Sequence, residues 1–88
     1  MKLVYERSFL KDVKAIGDSS VKKKIETAIT SLHAAKSMEE LQAVKKLKGH
    51  KSAYRIRIGD YRIGFFAQRG TITLVRVLHR NKIYNYFP

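Results

Sequence analysis

The chain has 88 residues, enough for one domain with a single modest core, and its 44% hydrophobic content with one proline argues against a disordered tail. No apolar run reaches the roughly 20 residues of a membrane span, the first residues are too charged for a secretory signal, and a chain without cysteine has no disulfide or thiolate chemistry and suits a reducing cytoplasm. Nineteen Lys and Arg against seven Asp and Glu leave a net charge of +12, which draws polyanions: nucleic acid first, then an acidic protein, then an anionic membrane surface.

Residues 2–6, KLVYE, read as a short strand. Phe9, Val13 and Ile16 then recur at helical spacing and predict a helix over 7–15, with Gly17 suited to a left-handed closing position. Asp18 and Ser19 are candidate N-caps for a second helix. Its apolar stripe is Val21, Ile25, Ala28, Ile29 and Leu32, with Lys22, Lys23, Lys24 and Glu26 mostly outside it. Ser37 and Glu40 have capping-box spacing and open a short helical turn that carries Met38, Leu41 and Val44. Residues 45–52, KKLKGHKS, lack strand alternation and contain Gly49, so they read as a basic loop.

Three strands follow. Residues 53–58 and 61–67 flank Gly59-Asp60, a two-residue hairpin turn with glycine first, and Arg69-Gly70 turns the chain into residues 71–80. The last strand is apolar in both phases for much of its length and belongs inside the sheet, covered on both faces. The fold class is α+β: a short N-terminal strand and two helices packed on one face of an antiparallel β-meander, all in one domain over 1–88.

Strand alternation sends Tyr54, Ile56, Ile58, Tyr61, Ile63 and Phe65 to the face under the helices. Arg55, Arg57 and Arg62 then share the open face with Gly64 and Phe66. A solvated face would mix lysine with glutamate, whereas no acid interrupts these arginines. Like charges on neighbouring strands repel, and a phosphate backbone would compensate them, because guanidinium forks match phosphate oxygens bidentately. Lys45, Lys46, Lys48, His50 and Lys51 extend the basic character as further RNA contacts.

Cleaving RNA without a metal requires activating a 2′-hydroxyl, stabilising phosphorane-like charge and protonating the leaving 5′-oxygen. Arginine stays charged and can serve only the second task. Of the histidines, His33 lies beside the stripe of the second helix and His50 in the basic loop, leaving His79, next to Arg80, as the proton-transfer candidate or a strand-end residue satisfied by backbone. Tyr84 and Tyr86 can stack on a base or donate a proton, or fill the edge of the core, which is the preferred reading for Tyr86 and Phe87. The sequence contains neither a metal-ligand cluster nor a phosphate-binding glycine loop, so no cofactor is expected.

The order VKKLKG, YRIRIGDYRIGF and VRVLHRNKIY resembles the RelE/ParE superfamily of bacterial type II toxin–antitoxin toxins over nearly the whole chain. The resemblance implies a RelE-like fold and, in the RelE branch, ribosome-dependent cleavage of mRNA in the A site, which inhibits translation. It implies that Arg55 and Arg57 match paired basic residues of the first hairpin arm, Arg62 and Arg80 match arginines that stabilise the transition-state phosphate, and Tyr84 matches a catalytic tyrosine. In the best-known members the first-arm pair are lysines, which can lose a proton; arginine here passes that task to His79, Tyr84 or the bound RNA and ribosome. The ParE branch uses the same scaffold to poison DNA gyrase, and a non-catalytic RNA-binding module is a third reading. Either toxin branch implies an acidic antitoxin partner.

Overall fold

Two-residue alternation over 53–68 builds the centre of the molecule, and the other elements pack around it. The computed structural model describes residues 1–88. It runs β1 (Lys2–Tyr5), α1 (Arg7–Ala15), α2 (Ser19–Ala34), a 3-10 turn at Met38–Glu40, β2 (Val44–Lys46), β3 (Ala53–Ile58), β4 (Tyr61–Gln68), β5 (Thr71–His79) and a 3-10 turn at Ile83–Asn85. The strands form one mixed sheet in the order β1-β5-β4-β3-β2, with β1 parallel to β5 and the other pairs antiparallel.

The helices cover one face. Phe9 of α1 and Ile25 and Leu32 of α2 pack with Ile56, Ile63, Phe65, Ile72, Leu74 and Val77 in the main core. A smaller cluster on the opposite face joins Ala53, Ile83 and Phe87, with Phe66, Val75 and Leu78 against it. β5 is therefore interior and apolar on both sides, as its composition predicts.

Three local expectations are corrected. Residues 44–46 form an edge strand, with Lys45 opposite Arg55, instead of joining a basic loop that starts at Lys45; the free edge of β3 supplies backbone partners that local alternation does not reveal. Gly17 is not left-handed, and α1 closes on Ile16, whose N–H donates to the Val13 carbonyl at 3.1 Å. Ser37 makes no capping bond; the Glu40 carboxylate instead accepts from the Lys36 N–H at 3.2 Å. Asp18 does cap α2, accepting from the Ser20 N–H at 2.9 Å and the Ser20 hydroxyl at 2.7 Å.

β1 ends opposite Leu74, leaving the outer edge of β5 without a strand. α1 takes over that edge through two side chains one helical turn apart. Ser8 Oγ donates to the Val75 carbonyl at 2.6 Å, and Asp12 accepts from the Val77 N–H at 3.0 Å. The β4–β5 register also slips here: Phe65 faces Leu74 and Gly64 faces Arg76, so Val75 is a bulge. The Asp12 carboxylate accepts both Arg76 Nε at 2.7 Å and Arg76 Nη2 at 2.9 Å, a bidentate pair that raises the arginine's pKa.

Asp12→Ala removes an ion pair that is only partly exposed and leaves the Val77 N–H without its acceptor. It should cost about 3 kcal/mol in urea denaturation. At the α2 cap, the hydroxyl and amide donors of Ser20 hold the Asp18 carboxyl below the usual aspartate value. A folded-state pKa below the unfolded one stabilises the fold above about pH 4, and the contribution fades as pH falls through the folded value. The melting-temperature gap between wild type and Asp18→Ala should therefore be full at neutral pH and narrow on acidification.

Candidate nucleic-acid interface and active site

Antiparallel register assembles the cationic face. Arg57 stands directly opposite Arg62, and Arg55 lies between Lys45 on one side and Gly64 on the other. Lys45, Arg55, Arg57 and Arg62 line a cleft of about 460 Å³, walled by residues 42–44. Arg80 follows the end of β5 and is tied to the hairpin by its N–H, which donates to the Asp60 carbonyl at 2.8 Å.

Arg62 is the fixed point of this cleft. Its Nη1 donates to the Gly59 carbonyl at 2.8 Å and the Tyr61 carbonyl at 2.9 Å, folding the guanidinium back onto its own turn. Burial lowers its pKa first, followed by the charges of Arg57, Arg55 and Arg80, while Tyr84 acts in the opposite sense. A guanidinium starts so high that it stays protonated at neutral pH. Arg62 is thus a permanent cation in a crowd of cations, suited to an anion but unable to act as a base.

Tyr84 reaches the cluster from the C-terminal turn. The Arg55 guanidinium lies over its ring at 5.2 Å, within cation–π range, and Tyr84 is 72% exposed. Two buried anchors hold the turn: Ile83, and Phe87, whose N–H donates to the Ile83 carbonyl at 2.9 Å. Phe87 packs on Phe66 with ring centroids 5.1 Å apart and lies on Gly64, where a Cβ would collide with its ring. A glycine inside an otherwise bulky strand signals such a close approach, and that is how Gly64 and Phe87 become legible as parts of the site. Tyr86 corrects its sequence reading: it is 55% exposed rather than core-filling, and the Arg76 guanidinium lies over its ring at 5.0 Å.

The remaining candidates are not all brought together. His79 pairs with Tyr61, meets that ring edge-on at 5.8 Å and accepts the Asn81 N–H on Nδ1 at 3.2 Å. Tyr61 packs against the main core, so His79 faces the helix side, away from Arg62. Lys46, Lys48, His50 and Lys51 line a separate hollow in the loop before β3, with Gly49 at φ 80°. His33 is exposed on α2. At the arginine cleft, Tyr84 and Lys45 are the side chains able to exchange a proton.

A family model described as ParE toxin of type II toxin–antitoxin system, parDE, matches residues 3–84. The chain is 40% identical over 89 residues to Toxin RelE3 of Methanocaldococcus jannaschii, covering 100% of both. It superposes on a chain of the RelB–RelE antitoxin–toxin complex from Methanococcus jannaschii with TM-score 0.81 and 38% identity, over 97% of this chain and 99% of that one. A chain of the archaeal RelE–RelB complex from Pyrococcus horikoshii OT3 shares the fold at TM-score 0.74 and 19% identity, over 92% and 96% of the two chains.

Gly64→Ala should expel Phe87 and loosen the C-terminal turn, at a cost of about 1–3 kcal/mol. Hydrogen exchange at residues 83–87 should rise. In a double-mutant cycle with Phe87→Ala, the two losses should sum to more than the double variant shows, because truncating the ring removes the collision.

Proposed function

The chain belongs to the RelE/ParE family of toxins of type II toxin–antitoxin systems, and we propose that it is a ribosome-dependent endoribonuclease that halts translation by cutting mRNA in the A site. The single observation that carries this reading is the juxtaposition of Arg57 and Arg62 on paired strands with Tyr84 stacked on Arg55 beside them. Fixed guanidinium groups supply charge stabilisation where another nuclease would use a metal ion. The 2′-oxygen of the substrate attacks the adjacent phosphorus, the bond to the 5′-oxygen breaks, and Arg62 and Arg80 hold the excess negative charge that develops between those events. Tyr84 donates its phenolic proton to the leaving 5′-oxygen. Lys45 adds a further cation to the cleft, and the ribosomal RNA takes the proton from the 2′-hydroxyl. Arg55, Arg57 and the loop cations Lys46, Lys48, His50 and Lys51 hold RNA phosphates. His79 is left out of the proton transfer because of the face it occupies.

The proposed partners are the ribosome with its mRNA and an acidic antitoxin, the latter supported by the RelB–RelE complexes among the structural neighbours. The cytoplasm, where ribosomes work, is the proposed compartment; no helix is long and apolar enough to cross a membrane. A second reading, a gyrase-directed toxin, draws on the ParE description of the family model.

Primer extension on mRNA after induction should place new 5′ ends at A-site codons. Arg62→Ala and Arg80→Ala should each slow cleavage about 100-fold or more while circular dichroism stays unchanged. Tyr84→Phe should slow it by about 100-fold, and His79→Ala should cut like wild type. Undiminished cleavage in both arginine variants would overturn the assignment, and DNA breaks with intact mRNA would favour the gyrase reading.

A further inference from the structure

The C-terminal turn lays three aromatic rings along one line across the sheet. Gly64 of β4 stands opposite Arg55 of β3 on one side and Arg76 of β5 on the other. Phe87 fills the space over Gly64, the Arg55 guanidinium lies over the Tyr84 ring at 5.2 Å, and the Arg76 guanidinium lies over the Tyr86 ring at 5.0 Å. Arg62 shares the face of Gly64 two residues earlier on β4. The two tyrosines therefore stand on either side of the line that runs from Arg62 to Gly64. Neighbouring strands are about 4.8 Å apart, which puts the backbones at Arg55 and Arg76 about 10 Å from each other. That span suits one phosphodiester with a base on each side.

Packing does not account for Tyr86. Ile83 and Phe87 already anchor the turn in the smaller cluster, while Tyr86 is 55% exposed. One face of its ring rests on Arg76 and the other is open to solvent. Arg76 is itself fixed, because the Asp12 carboxylate accepts its Nε at 2.7 Å and its Nη2 at 2.9 Å. That pairing withdraws Arg76 from phosphate binding and leaves it to hold the ring. We propose that Tyr86 is the stacking platform for the base on the 5′ side of the scissile phosphate, the nucleotide whose 2′-oxygen attacks. Tyr84, which protonates the leaving 5′-oxygen, serves the nucleotide on the 3′ side; Tyr86, across Arg62 from it, faces the other. A ring already held in place loses little freedom on binding, and every base has a face to stack. A stacked base fixes its ribose, and with it the 2′-oxygen, relative to the phosphorus. This inference rests on the endoribonuclease reading above and adds to it the residue that orients the attacking nucleotide.

The test is single-turnover cleavage on programmed ribosomes by wild type, Tyr86→Leu and Tyr86→Trp. Each meets an unmodified mRNA and one with an abasic ribonucleotide, its 2′-hydroxyl intact, on the 5′ side of the cut. On the unmodified mRNA, Tyr86→Leu should be slower than wild type by about tenfold or more, and Tyr86→Trp, which keeps a stacking face, should lose less. The abasic mRNA should slow wild type and Tyr86→Trp by about tenfold, and should slow Tyr86→Leu no further. A ring that only braced the turn would leave the abasic penalty the same in Tyr86→Leu as in wild type, and that result would overturn the proposal. So would wild-type cutting by Tyr86→Leu; a loss of antitoxin affinity in that variant would then assign the ring to the protein partner. If wild type cuts no mRNA, the endoribonuclease reading falls and takes this inference with it.

Discussion

The Asp12 carboxylate at the outer edge of β5 sets the phase of everything that follows it in the chain. By accepting the Val77 N–H and both donors of Arg76, it holds the bulge at Val75. A bulge adds one residue to a strand, and in a structure of period two one residue exchanges the faces of all later side chains. Leu74 and Val77 both face the helices even though three positions separate them. Val75 and Leu78 consequently join the opposite cluster. Which of His79 and Arg80 turns toward the helices and which toward the cleft is therefore decided by a residue of the first helix, more than sixty positions earlier.

That phase matters because the open face is divided between two environments. Phe87, seated on Gly64, closes one half into a small dry cluster. The other half gathers Arg55, Arg57 and Arg62 with no carboxylate among them; Asp12 is already committed to Arg76. The repulsion is softened locally: carbonyl dipoles of the hairpin turn receive Arg62, and the Tyr84 ring lies against Arg55. Neither neutralises a charge. The uncompensated cations are a standing cost to the fold, and a bound polyanion would remove it.

Much of this was legible in the sequence where the information is local. The hairpin around Gly59-Asp60, the two helices, the Asp18 cap and the two-faced character of residues 53–66 all follow from spacing and turn chemistry, and the structure reproduces them. What was not legible depends on distant partners. β2 is three residues long and exists because β3 has a free edge. The Ser37 capping box fails because Glu40 turns to the Lys36 N–H instead. His79 adjoins Arg80 in sequence, but it stands opposite Tyr61, which packs on the helix side of the sheet. Gly64 carried a signal in its lack of a side chain, yet the ring that needs the space lies 23 positions on.

The two free borders of the sheet share a property with consequences beyond the single molecule. β1 spans four residues and carries Lys2; β2 spans three and carries Lys45 and Lys46. Unpaired strand borders are templates on which further copies can grow, and short runs bearing lysine are poor templates because each added strand would stack ammonium on ammonium. A chain with such borders, and a net charge of +12, resists self-association at concentrations that would drive a long, neutral edge into fibres. Protection of the borders is thus shared among Lys2, Lys45 and Lys46, and the second of these also lines the cleft.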